Sequence, residues 1–154
     1  MTETVVCIFP HANSEFASPQ ELISYLKKDL FQRKKKGQYL LRTLGFKDKD
    51  FIARVIKGSI VLFRKFDIVV GEAIVQQPIR KLEPPIKEES SGSGELTTYY
   101  HEVIFAQADV RIYKKPIAIV DLQKWANRPI ERRFYSILGL RKQFEGKFAK
   151  YRAT

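Results

Sequence analysis

One cysteine, one tryptophan and two histidines are all that 154 residues offer of the side chains that most often carry redox, stacking or metal chemistry. With Cys7 alone, an internal disulfide, a zinc ribbon and a CxxC redox pair are excluded, and its setting among Val and Ile reads as a small core position. His11 and His101 lie far apart, and neither has a partner at a metal-ligand spacing, so no metal or other cofactor is expected. Long apolar runs are missing too. Nothing approaches the length of a membrane span, and no basic segment leads into an apolar core and a small-residue cleavage site. The chain is therefore read as cytosolic, with no membrane partner. Gly92 and Gly94 lack the Lys-Ser/Thr ending and the strand-to-helix setting of a phosphate loop, which excludes a nucleotide hydrolase.

What is abundant is positive charge. Lys and Arg number 28 against 17 Asp and Glu, giving a formal net charge of +11 and an isoelectric point near 9.8. Such a balance favours polyanionic partners. The hydrophobic fraction of 44% suffices for a real core, and the length suits one domain over 1–154. Eleven Phe and seven Tyr exceed what that core needs, leaving rings for recognition.

The segment KGSIVLFRKFDIVVGEAIV, Lys57 to Val75, predicts a buried hairpin: Ile60 to Phe63 and Ile68 to Val70 are apolar runs joined by a turn over Arg64 to Asp67. Gly71 inside the second run marks a bulge or a close approach of another backbone. Before it, Thr4 to Phe9 predicts a strand. Ser18 as N-cap, Pro19 at the first helical position and Glu21 in a capping box open a helix, whose stripe of Leu22, Ile23, Leu26 and Leu30 should run to Arg33–Gly37. A short helix is expected over Asp50 to Ile56. After the hairpin, RKLEPPIKEESSGSGEL, Arg80 to Leu96, reads by composition as a mobile loop inserted between strands. Two further strands follow over Thr97–Phe105 and Asp109–Val120, with Pro116 placing the second at an edge or bend. A helical turn capped by Asp121 runs to Ala126, and a basic amphipathic helix over Gly139–Arg152 carries Leu140, Phe144, Phe148 and Tyr151 on its apolar side.

The densest charge feature is Arg33, Lys34, Lys35 and Lys36, followed by Tyr39 and Arg42. Successive cations can meet phosphates while an adjacent ring stacks on a base. The plainer alternative is compensation of a helix dipole at its C-terminus, which accounts for one or two cations. Trp125 is read either as a core anchor or as one wall of a pocket, with Tyr39 as the other. Tyr99, Tyr100 and Tyr113 are further candidates, although alternation along a strand allows only one of Tyr99 and Tyr100 to face a given site. His11, Asn13 and Ser14 offer a polar wall without forming a triad. Glu72, beside Gly71, is a possible general base with no visible second acid or nucleophile.

In order, the strand TVVCIF followed by polar HANS, the short helix before KGSIVLF, the strand IVVGEAIV and the late strand ADVRIYKKPIAIVDL resemble the PUA-like superfamily, and within it the EVE and YTH type domains. The resemblance implies an α+β fold: a strongly curved mixed sheet or partial barrel flanked by helices, with a pocket for one nucleobase. Similar domains read RNA modifications or stand at the front of modification-dependent restriction systems. His11, Asn13 and Ser14 fall where such domains keep polar pocket residues, and Tyr39 falls near a position often held by Trp. The expected function is binding of DNA or RNA, methylated or unmethylated, by a non-enzymatic reader of a modified or flipped base, working within a larger effector or restriction complex. His11, Asn13, Ser14, Tyr39, Tyr99 and Trp125 would contact the base, and Arg33, Lys34, Lys35, Lys36 and Arg42 the phosphates. Two alternatives stay open: a nuclease or RNA-modifying subunit using Glu72 and His11, and a basic protein-interaction or toxin-antitoxin module without a base pocket.

Overall fold

A computed structural model describes residues 4–11, 16–42, 49–89, 95–130, 135–137 and 141–152. In chain order the elements are β1 (Val6–His11), α1 (Pro19–Lys27), β2 (Gln38–Leu41), α2 (Lys49–Arg54), β3 (Ile60–Lys65), β4 (Ile68–Glu89), β5 (Leu96–Phe105), β6 (Arg111–Ala118), α3 (Ile119–Ala126), β7 (Tyr135–Ile137) and α4 (Arg141–Arg152). The chain is thus a mixed α+β fold. Its strands pair in the order β2-β5-β4-β3-β1-β7, with β6 added against β4, so the sheet is open. β1 and β3 run parallel, and the other pairs are antiparallel.

Continuous apolar runs at β1, β3 and the start of β4 follow from burial on both faces, which removes the polar alternation of a half-exposed strand. Cys7, Phe9, Val61 and Phe63 point to one core, shared with Leu22, Leu26 and Leu30. Val6, Ile8, Ile60 and Leu62 point to the other, shared with Leu122, Ile119 and Phe148. The sheet therefore lies between α1 with α2 and α3 with α4.

Local chemistry explains most boundaries. The Ser18 hydroxyl accepts from the Glu21 amide at 3.2 Å, and the Glu21 carboxylate accepts from the Ala17 amide at 2.8 Å. The Ser18 bond is the expected half of the capping box, and the Glu21 half falls one residue earlier, on Ala17. α1 ends at Lys27, earlier than expected. A 3-10 turn over Asp29–Phe31 tightens the chain there and brings both Leu30 and Phe31 into the core. Gly71 behaves as its sequence context suggests. Opposite Phe63, with the register shifting beside it, it lies so near β6 that an added Cβ would sit 2.6 Å from the Arg111 carbonyl oxygen. α3 begins at Ile119 rather than Asp121, and its N-cap, Ala118, makes no side-chain bond. In α4, Phe148 is fully buried and Tyr151 partly so; nothing is described of the Leu140 and Phe144 side chains.

The clearest correction concerns Arg80 to Leu96. Most of it is strand: β4 continues to Glu89, and Ile86, Lys87, Glu88 and Glu89 pair with Tyr99, Thr98, Thr97 and Leu96. The prolines of β4 sit where the ladder is interrupted, Pro78 between Gln77 and Arg80, Pro84 and Pro85 between Lys81 and Ile86. A missing amide is harmless at an interruption. The residues 90–94 lie outside the description.

Candidate functional site

Between the outer end of this two-stranded arm, α1 and β2 lies a cleft of 240 Å³ lined by Phe16, Tyr25, Asp29, Arg33, Tyr39, Leu40, Glu88, Glu89 and Tyr99. Each wall comes from a different part of the chain. α1 delivers Tyr25 from the flank of its buried Leu22–Leu26 stripe, and β2 delivers Tyr39. β5 delivers Tyr99 at the point where it pairs with Ile86. Phe16 packs its ring 5.3 Å from that of Tyr25, and Tyr25 lies 6.4 Å from Tyr39 in an edge-on arrangement. Tyr100 faces away and is exposed.

Tyr39 is itself buried, and behind it stands His11. His11 Nδ1 lies 2.8 Å from the Arg64 carbonyl oxygen, and Nε2 is hydrogen-bonded to the Tyr39 hydroxyl. A carbonyl only accepts, so Nδ1 carries a hydrogen. Burial, aided by the nearby Lys65 ammonium and opposed by the Arg64 carbonyl, lowers the His11 pKa to about 4. The ring is neutral near pH 7. Nε2 is then an acceptor, and the Tyr39 hydroxyl donates to it. Burial first, moderated by Arg33, pushes the Tyr25 phenol up to about 12, so it too keeps its proton.

The basic run divides in two. It forms an irregular stretch between the 3-10 turn and β2. α1 has ended well before, so the dipole explanation falls away. Arg33 grips Glu88 through both terminal nitrogens at 2.8 and 2.7 Å, and reaches Gln38 at 3.1 Å. Lys35 holds the buried Glu102 at 2.7 and 2.8 Å, with Arg80 adding a longer contact at 3.4 Å. Burial alone would raise the Glu102 pKa, but hydrogen bonds from Lys35, Arg80 and Gln38 outweigh it and leave it lowered. These two cations fasten the arm to the body. Lys34 and Lys36 are exposed, and Lys34 lines a second hollow that shares Arg33 and Glu88 with the cleft. Arg42 follows β2 and is half-buried.

The structure does not bring Tyr39 and Trp125 together as two walls of one pocket. Tyr39 belongs to the core under α1, whereas Trp125 packs on the opposite face of the sheet, its ring 6.1 Å from Phe148 and 5.8 Å from Tyr151. It docks α4 onto α3. Asn13 and Ser14 lie outside the described residues. Glu72 is buried against Arg152 at 2.6 and 2.8 Å and accepts from the Tyr113 hydroxyl at 2.8 Å. It packs on the Leu62 side and His11 on the Phe63 side, so the two share no site. Among the described residues, no three His, Cys, Asp or Glu side chains converge as metal ligands, and no helix is long and apolar enough to cross a membrane.

Phe16, Tyr25, Asp29 and Glu88 were not legible as site residues in the sequence. Tyr25 carried a faint signal, an aromatic just beside the apolar stripe of a well-capped helix. Glu88 carried none, because its segment resembled a loop. No protein-family model, curated protein or solved structure matches this chain.

Proposed function

We propose that this chain is a nucleic-acid-binding domain of PUA-like type that accepts one flipped or modified base between the rings of the cleft while exposed cations hold the phosphates. The observation that carries the reading is the adjacency of an aromatic cleft, Phe16, Tyr25, Tyr39 and Tyr99, to the hollow lined by the exposed Lys34. At 240 Å³ the cleft is below the roughly 300–1,000 Å³ of pockets for drug-sized ligands, which suits a single ring system. Rings supply stacking that tolerates any base, and phosphate contacts supply affinity without sequence information. The base readers are then Tyr39, Tyr99 and Tyr25, with His11 behind Tyr39. Trp125 has no part in this reading. A catalytic role is not assigned, and work within a larger effector or restriction complex belongs to the same proposal.

The test is equilibrium binding to methylated and unmethylated single strands and duplexes of DNA and RNA, across a salt series. Affinity that falls with salt and differs with the base is expected. Binding that depends on salt alone would reduce the protein to a basic surface and sink the pocket.

A further inference from the structure

The cleft runs against the charge of the rest of the chain. Of the four charged side chains that line it, Asp29, Glu88 and Glu89 are carboxylates and only Arg33 is a cation. Arg33 is matched by Glu88, and among the described residues neither Asp29 nor Glu89 has an ion-pair partner. In a chain with a formal net charge of +11, three carboxylates against one guanidinium leave this hollow negative. Charge of one sign in a concavity with low-dielectric walls focuses its field on whatever enters. The rings add to it. Phe16 and Tyr39 are buried, whereas Tyr25 and Tyr99 are half-buried and keep ring surface to offer. An aromatic face is negative and attracts a cation set within about 6 Å of it.

We propose that the base this cleft selects is one that carries a positive charge: a purine or pyrimidine methylated on a ring nitrogen, such as 1-methyladenine, 3-methylcytosine or 7-methylguanine. Methylation there takes up the lone pair of the nitrogen and leaves the ring cationic, whereas methylation on carbon or on an exocyclic amine leaves it neutral. The charged ring meets the surface of Tyr25 and Tyr99 and lies in the field of Asp29 and Glu89. One ligand then answers both signs of the molecule. Its phosphates meet the basic surface, with Lys34 in the hollow beside the cleft, and its base meets the carboxylates. A methylated lysine would also suit rings and carboxylates, but a body of charge +11 repels the basic peptide that carries it. This inference rests on the base-pocket reading and adds to it the charge of the base.

The experiment uses short single RNA strands with one central modified base, each cationic base set against a neutral counterpart that carries its methyl elsewhere. The pairs are 1-methyladenine with N6-methyladenine, 3-methylcytosine with 5-methylcytosine and, in mildly acidic buffer, 7-methylguanine with N2-methylguanine. For the full chain, at least one cationic base should be bound about ten-fold or more tightly than its counterpart. Asp29 and Glu89 are both exposed, so the double variant Asp29→Asn, Glu89→Gln should melt near the parent. It should bind the two members of that pair within about two-fold of each other. No cationic base ahead of its counterpart, in a protein that still prefers some base over an abasic site, overturns the charge selection but not the pocket. A preference that survives in the double variant overturns the part given to the two carboxylates. A trimethyllysine peptide bound more tightly than any strand, and lost in the double variant, overturns a base as the occupant. No difference between any base and an abasic site would overturn the pocket itself, and this inference with it.

Discussion

Each face of the sheet buries a tyrosine hydroxyl, Tyr39 against His11 and Tyr113 against Glu72, and the two arrangements diverge one group further on. Behind Tyr113, Glu72 is gripped by Arg152 from α4, so an ion pair closes the face and fixes the last helix. Burial and the Glu72 charge push the Tyr113 phenol far up. Behind Tyr39 stands a neutral imidazole anchored to a backbone carbonyl, and in front of it the chain leaves a cleft. The same side chain at similar burial therefore does two things. What separates them is the group each hydroxyl meets, a neutral imidazole for Tyr39 and an ion-paired carboxylate for Tyr113. Trp125 makes the same point, since the residue type best suited to stacking is here spent on holding α4.

The sharpest break of that contrast is at Glu72. Glu72→Ala should cost about 3–5 kcal/mol of folding stability, because it removes the buried carboxylate that both Arg152 and the Tyr113 hydroxyl hold. Any folded protein that remains should keep its base preference, and a selective loss of preference without destabilisation would put the site on the wrong face.

The histidine gives the next largest effect. Its pKa is held near 4 in the fold against an ordinary 6.5, so between those values the unfolded chain takes up a proton that the folded one refuses. The stability this represents, about 3 kcal/mol, is present above pH 6.5 and disappears as pH falls toward 4. Denaturant midpoints from pH 7 to 4.5 should fall more steeply for the parent than for His11→Phe; parallel curves would mean that His11 is charged in the fold.

Paired substitutions sharpen the comparison between rings. Trp125→Ala should lower stability by an amount near the lower end of the roughly 3–5 kcal/mol typical of a large aromatic, since the ring is only partly buried. Tyr99→Ala should instead weaken base binding by about 1–3 kcal/mol with little change in the melt. An interchange of these outcomes would move the pocket to α3. The smallest effect belongs to the exposed cations. Lys34→Ala and Lys36→Ala should each reduce the slope of log affinity against log salt by about 0.7–0.9 without touching stability. An unaltered slope would send the phosphates elsewhere.

Sequence reasoning was strongest where one residue answers one constraint. The apolar runs around Val61 and Val69, Gly71 pressed against Arg111 and the Ser18 cap were legible because each is dictated by its own neighbourhood. The arm was not. An exposed ribbon is held by backbone hydrogen bonds, and its side chains, Glu83, Pro84, Pro85, Lys87 and Glu88 among them, are those of a loop. His11, Tyr39 and Tyr99 could be nominated singly. Their grouping with Phe16 and Tyr25 depends on how α1 crosses the sheet, which no spacing encodes, and the pairing of Arg33 with Glu88 depends on the arm.

The parallel seam between β1 and β3 also carries a schedule. β1 is synthesised before either strand that will flank it: one flank begins at Ile60, the other only at Tyr135. β3, β4 and β5 follow one another and can zip as a meander as they emerge, at little loop-closure cost. Val6, Cys7, Ile8 and Phe9, apolar on both sides, must meanwhile wait as an unpaired segment of the kind that recruits the wrong partner. In a nascent chain, the interval between Phe9 and Ile137 is the window in which this protein depends most on being left alone.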